Sequence, residues 1–418
     1  MRHRFLALVG AALFAAPLAS QQVLVVAPAP GPGVFSTTIQ AAVDAASEGD
    51  VVLVKGGSYL GFLVARKAVT IAADAGALVS IRTPVRVFNL AASQRVVVRG
   101  LRIDVSGMFA GAASTAVLFQ GNAGPVWLER CAIQGTLATD KGTSGVALAT
   151  YGSESVVLER TWIRGGRWVQ LPIVGPSGAP AVVAYESSVS LHDCDVAGGD
   201  AGPPWFPEYP TAGGAGIVSS QGRVFVSGSI VRGGDGGSTT VSLAGGGAGG
   251  PGLTAGGDVV ALASTFSGGA AGLGGPGGSA GAPGVSTILA EGGSFATLPG
   301  AARHFVAESP IREQQASTWT FGGASGEVAA AIVATDPAPG PLLPFFGGEL
   351  LVSAASAVAF PIGTVSTSGS LAASIAVPSL PPALLGATLF VQSLFVDVST
   401  TAVAIGPVSS LLILDSSL

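Results

Sequence analysis

Glu159 and Asp193 are the residues best suited to do chemistry in this chain. Two carboxylates flanking a glycosidic bond act as acid and base in sugar hydrolysis. These two stand at adjacent positions in neighbouring copies of a repeated phrase. Around them fall Arg130, Arg160, Arg164 and Asp195, with Trp162, Trp168, Trp205 and Tyr209 nearby. Aromatic faces flanked by Arg and Asp are what a sugar-binding surface needs. The candidate catalytic pair is therefore Glu159 and Asp193. The candidate ligand-binding set is Arg130, Arg160, Trp162, Arg164, Trp168, Asp193, Asp195, Trp205 and Tyr209. A metal site needs several ligands, and His192 beside Asp193 and Asp195 supplies too few. No metal is expected there, and His192 is read as a surface histidine paired with carboxylates.

The elements that must position these groups come from the phrase itself. It reads Arg95–Val105, Pro125–Gly135, Ser155–Gly165, Ser188–Gly198, Arg223–Gly233 and Asp258–Gly268. A recurrence every 30 to 35 residues marks stacked supersecondary units. Within each copy, positions two and four are apolar, as in Val126 and Leu128. A bend follows at position six, and positions seven and nine point inward. Gly then opens a loop, and a third strand closes the coil, as in Val117–Phe119 and Val146–Leu148. Period-two alternation puts one set of side chains inside and the other outside. Three short strands per turn make a parallel β-helix. Charges at positions five, six and eight then stack from rung to rung, and such ladders are expected to be solvated.

Two further consequences follow from the register. Cys131 and Cys194 share position seven two rungs apart. Strands stack about 4.8 Å apart, so the pair is too distant for a disulfide, and two free, buried thiols are expected. Residues 37–47 read as an amphipathic helix with Ser36 as N-cap, closing the open end of the stack. The glycine-rich runs Gly233–Gly252 and Gly268–Gly284 read as flexible surface loops. Gly233–Gly237 resembles a calcium-binding nonapeptide but occurs once, without tandem repeats, so no cofactor is expected.

Composition narrows the class. The chain has 418 residues, 48% hydrophobic and only 10% charged, with 63 Gly. Gly-rich, Val-rich sequence disfavours helices. A net charge of −5, with no basic residue after Arg312, argues against a nucleic-acid partner. Arg2 and Arg4 precede the apolar run Phe5–Leu18, and Ala19-Ser20 follow, the pattern of a secretory signal. No later apolar stretch is long enough for a transmembrane anchor. The division expected is a signal at 1–20, a β-helix at 21–300, and a β-sandwich at 301–418. The last rests on short apolar segments separated by Pro-rich breaks. The fold class is all-β: a right-handed, single-stranded parallel β-helix with an N-terminal cap helix, followed by a small antiparallel β-sandwich.

The segments Thr38–Ala46, Glu48–Val54 and Gly57–Tyr59 resemble the start of pectin-lyase-like right-handed parallel β-helix proteins, and Leu128–Gly135 resembles their repeats. The whole arrangement looks like a group of exported planctomycete proteins. The resemblance covers residues 36–295 and implies fold more than function. It implies that an asparagine ladder should occupy position seven, where this chain has Leu101, Cys131, Thr161, Cys194, Ser229 and Ser264. It also implies that an enzyme would carry carboxylates and a basic residue on the outer face of the third strands. The outward residues read there are Leu118, Gln120, Ala147, Ala149, Val183, Tyr185, Val218, Ser220, Thr254 and Gly256, none charged. Proton abstraction beside a carboxylate needs a cation and a base. The expected function is thus a non-catalytic, exported structural or binding module. Its partners would be extracellular polysaccharide or cell-envelope components, at the cell surface, in the periplasm or in the medium. The alternative is a polysaccharide lyase or glycoside hydrolase.

Overall fold

Apolar residues at positions two and four of each phrase stack directly on their counterparts. Val126 pairs in register with Val96 and Val156, and Leu128 with Val98 and Leu158. All these pairs are parallel. The computed structural model describes residues 21–105, 115–136, 145–167, 177–202 and 211–418, apart from 339, 341 and 383. Residues 1–20, read above as a signal, lie outside that set. The described chain is all-β with one α-helix and forms a parallel β-solenoid followed by antiparallel sheets.

Each coil has three strands. The first covers positions two to five, as in Val96–Arg99, Val126–Glu129 and Val156–Glu159. The second, short strand follows the bend and forms an eight-stranded sheet that includes Leu101–Asp104, Ala132–Gln134, Trp162–Arg164, Asp195–Ala197, Ile230–Arg232 and Thr265–Ser267. The third strands include Val117–Gln120 and Leu148–Tyr151. From Val182 onward, third and first strands fuse into continuous strands, Val182–His192, Ile217–Ser227 and Leu253–Leu262.

The bend at position six is a stacked left-handed corner. Gly100, Arg130, Arg160, Asp193, Gly228 and Ala263 all have φ between 45° and 71°. Position seven turns inward and builds a hydroxyl and thiol ladder. The Cys131 N–H reaches Thr161 Oγ1 at 3.4 Å, the Cys194 N–H donates to Ser229 Oγ at 3.0 Å, and the Ser229 N–H to Ser264 Oγ at 3.1 Å. Small polar groups thus stack from rung to rung at position seven. Both cysteines are free and buried, and burial pushes their thiols up, to about 11 for Cys131 and about 12 for Cys194.

At the N-terminal end, the helix Ile39–Ala45 buries Ile39, Ala42 and Val43. Its N-cap is Thr38, not Ser36. Thr38 Oγ1 accepts from the Ala41 N–H at 3.4 Å, while Ser36 Oγ accepts from the Thr38 N–H and sits one step outside the cap. A strand absent from the sequence reading, Val23–Val26, pairs with Val51–Val54 and extends the sheet under this end.

The glycine-rich segments are ordered arms, not flexible loops. Glycine recurs every third residue at Gly246, Gly249 and Gly252, at Gly269, Gly272 and Gly275, and at Gly278, Gly281 and Gly284. Three residues per turn is the polyproline II period. The arms bond laterally: Gly246, Gly249 and Gly252 donate to the carbonyls of Ser279, Ala282 and Val285 at 2.9, 2.9 and 3.0 Å. A Cβ on Gly234 would lie 2.0 Å from the Gly199 carbonyl oxygen, so only glycine lets the arms approach. Asp235, centre of the calcium-like pentapeptide, sits on such an arm and accepts the Ala270 N–H at 2.8 Å.

Beyond the solenoid, two sheets share one core. One contains His304–Ala307, Ala316–Gly322 and Ser370–Ala376. The other contains Val328–Ala334, Val358–Thr364, Gly386–Val396 and Val403–Leu414. Phe305, Trp319, Phe321, Phe395 and Ile413 fill the space between them. The sandwich is antiparallel except at one edge, where Ile311–Arg312 runs parallel to Ile413–Leu414. This unit lies along the flank made by the first strands. Phe390 packs on Trp127 at 5.4 Å between ring centroids, and Leu412 and Leu414 pack with Val23, Val51 and Leu53. No helix among the described residues is long and apolar enough to cross a membrane.

Candidate functional site

Three outward faces could carry chemistry. On the third-strand face, Leu118, Ala149, Val183, Val218 and Thr254 are in register, and Gln120, Tyr151, Tyr185, Ser220 and Gly256 form the next outward row. Ala147 does not belong to these rows. It precedes the strand, is buried, and Tyr151 takes the outward place. The same sheet continues to Val85–Phe88, which adds Arg86 opposite Leu118. Arg86 brings a cation that the five third strands lack.

The first-strand flank carries the position-five row Arg99, Glu129, Glu159 and His192. These residues stack in register, and all are buried. They lie beneath Val403–Leu414 rather than in water, so the solvated ladder expected from sequence is instead an interface. Glu129 is ion-paired with Arg99 and with Arg160, the latter at 2.8 Å. It also accepts from Ser409 Oγ at 2.6 Å, the Ser410 N–H at 2.8 Å and Ser410 Oγ at 2.6 Å. Burial pushes this carboxyl up, but Arg99, Arg160 and the two serines outweigh it and hold the carboxyl below its ordinary value. Glu159 lies 2.8 Å from Arg160 yet is raised well above its ordinary value, because burial dominates and Glu129 adds a second negative charge. Burial pushes His192 down to about 4, and its ring sits edge-on to Phe225 at 5.7 Å. It is a buried neutral imidazole, not a surface histidine. Asp193, at the corner, lies 2.7 Å from His304 Nδ1. Glu159 and Asp193 therefore face different partners, and Glu159 has no open side for a sugar ring.

The third face is the outer surface of the short strands. Positions eight and ten point outward there, and they frame a groove of about 560 Å³ lined by Arg102, Asp104, Ala132, Gln134, Trp162, Arg164 and Arg167. Trp162 is 38% exposed. Its neighbour in register on one side is Ala132, whose methyl leaves the space beside the indole open, and on the other side Asp195. Arg102 donates to Asp104 Oδ2 at 3.2 Å and Arg164 to Asp200 Oδ2 at 2.7 Å. Asp195 is taken up by Arg232 at 2.7 Å. Three guanidiniums thus converge on a groove whose described lining includes one carboxylate, Asp104.

Of the residues chosen from sequence, Trp162 and Arg164 meet in this groove, and Asp195 lies one rung along. Arg160, Asp193 and Glu159 belong to the flank, and Arg130 is exposed at the corner between the two faces. Trp168, Trp205 and Tyr209 lie outside the described residues. Sequence reading missed Arg102, Asp104, Gln134 and Arg167. The signal for the first two was available, because they hold positions eight and ten of the first phrase. Among the described residues, no group of three or more His, Cys, Asp and Glu side chains is arranged to hold a metal ion. No family model matches the chain and no curated protein matches it in sequence.

Proposed function

We propose that this chain is a non-catalytic, exported surface module that holds an acidic polysaccharide along the outer face of its short strands. The observation that carries the reading is the groove over Ala132, with Trp162 as its aromatic wall and Arg102, Arg164 and Arg167 around it. An indole face offers a pyranose ring a broad apolar surface, and guanidiniums pair with carboxylates through two parallel hydrogen bonds. A parallel stack presents such groups at a strand spacing of about 4.8 Å, which suits a chain-like ligand. The rival reading, hydrolysis or lysis, would need an acid and a base in the same groove. Asp104 is the one carboxylate in its described lining, and Glu159 lies beneath the neighbouring sheet.

The test is affinity electrophoresis of the full chain through gels containing polygalacturonate, alginate or neutral dextran, with and without calcium. Retardation by the acidic polymers is expected, with loss on Trp162→Ala and on Arg164→Ala. Release of new reducing ends or unsaturated uronates during the run would assign an enzyme instead.

A further inference from the structure

The two ends of the solenoid are finished differently. At the N-terminal end, the helix Ile39–Ala45 lies over the stack, and Lys67 Nζ donates to the carbonyls of Val43 and Asp44. At the other end no described residue forms a further rung above the last one. Phe266, Leu289 and Phe295 occupy inward rows of the three sheets, in register with Val231, Ala255 and Val259 of the rung below. Those three are fully buried, whereas Phe266 and Phe295 are half-buried and Leu289 is 57% exposed. Ile288 and Val285 beside them are also exposed. The strands Thr265–Ser267, Thr287–Leu289 and Ser294–Leu298 each pair on one side only. The antiparallel sheets do not cover them, because those lie along the flank.

Exposed edges are ordinarily guarded by charge, above all by lysine. This one is not: no charged residue occurs from Val259 to Ala290. An apolar core layer left open beside unpaired, uncharged strand edges is the signature of a surface that is covered in use. We infer that the last rung, through Thr265–Ser267 and the stretch 278–298, is the interface of a closed dimer with a second copy of this chain. A two-fold axis sets this end surface against its own image, so the surface must tolerate itself. Apart from Glu291 in the turn between Thr287–Leu289 and Ser294–Leu298, this edge is uncharged and does so without repulsion, and backbone N–H and C=O rows complement themselves. The end offers roughly two dozen residues, within the about 20–30 per side of a stable interface. The helix-covered end cannot receive this edge, so pairing stops at two copies rather than growing into a fibre.

Sedimentation equilibrium of the full chain across a dilution series tests this. Twice the chain mass is expected for the wild type. The chain mass is expected for Ile288→Lys and for Ser286→Lys, both at exposed positions, with circular dichroism spectra like the wild type's. Amides of residues 287–289 should also exchange more slowly at high than at low protein concentration, a readout that needs no variant. A wild type that stays monomeric throughout overturns the inference. So does a dimer that both lysine variants leave intact, or an assembly that grows beyond two copies.

Discussion

The flank and the groove are two outward faces of the same phrase, and they have opposite fates. Positions three and five face the antiparallel sheets and are buried, including Trp127, Glu129 and Glu159. Positions eight and ten face outward, including Trp162 at 38% exposure. Both faces carry a tryptophan, arginines and carboxylates. On the flank these groups are covered by another part of the chain: Phe390 packs on Trp127, and Ser409 and Ser410 complete the hydrogen bonds of Glu129, while Glu159 is buried beside Arg160 with no hydroxyl or amide to complete it. In the groove no ring among the described residues packs on the indole, and Ala132 leaves room beside it. Charge in a repeat therefore does not mark a site. What marks one is exposure: an aromatic face and charged groups that water, and hence a ligand, can still reach.

The largest difference between the faces should appear when a carboxylate is removed. Glu129→Ala takes from Arg99 its carboxylate partner and leaves Arg160 with Glu159 alone, in a closed interface. Breaking a buried pair from one side costs about 3–5 kcal/mol. Urea denaturation should show that loss, and limited proteolysis should release the segment after residue 300 first. An effect under about 1 kcal/mol would mean that the flank opens to water.

His192 gives the next effect. Its imidazole is held near 4 when folded, against an ordinary 6.5. Between these values the unfolded chain binds a proton that the folded chain refuses, so stability falls as pH drops from about 6.5 to about 4. The loss is on the order of 2–3 kcal/mol. His192→Gln should remove most of that acid sensitivity, as read from urea midpoints at the two pH values. An unchanged pH profile would place His192 in solvent.

On the open face the effects move from folding to binding. Trp162→Ala should weaken binding of acidic polysaccharide by roughly tenfold, about 1.4 kcal/mol, while the melting temperature stays within a degree or two. Asp195→Ala should change least. Its pair with Arg232 is half in water, and such pairs contribute about 0.2–1 kcal/mol. A loss from Asp195→Ala as large as that from Glu129→Ala would erase the distinction between the faces.

The alternation of the phrase made the solenoid, its inward rows and the separation of Cys131 from Cys194 legible. It says which side chains leave the core, not what meets them outside. Even so, one sign of the covered flank was present. Positions two to four run Val-Val-Val, Val-Trp-Leu and Val-Val-Leu, and a strand apolar at successive positions is buried on both faces. The covering strand carries Ser409 and Ser410, small uncharged groups more than two hundred residues away, and nothing about them announces a partner for Glu129. The glycine arms depart from the flexible-loop expectation for a different reason. Gly count suggests flexibility, but Gly at every third position allows backbones to touch and bond, and only that spacing separates the two cases. The groove was legible through Trp162 and Arg164. It is incomplete there because Arg102 and Asp104 lie in the first phrase, whereas the charges around Glu159 and Asp193 lie in the third and fourth.

Hydroxyl-radical footprinting of the full chain, with and without an acidic polysaccharide, compares the two faces in one experiment through their tryptophans. Trp162 should oxidise readily and be protected when polygalacturonate is added, while Trp127 stays unmodified in both conditions. Oxidation of Trp127 at the rate of Trp162, or a Trp162 that polygalacturonate leaves unprotected, would contradict the division of the repeat into a closed flank and an open binding face.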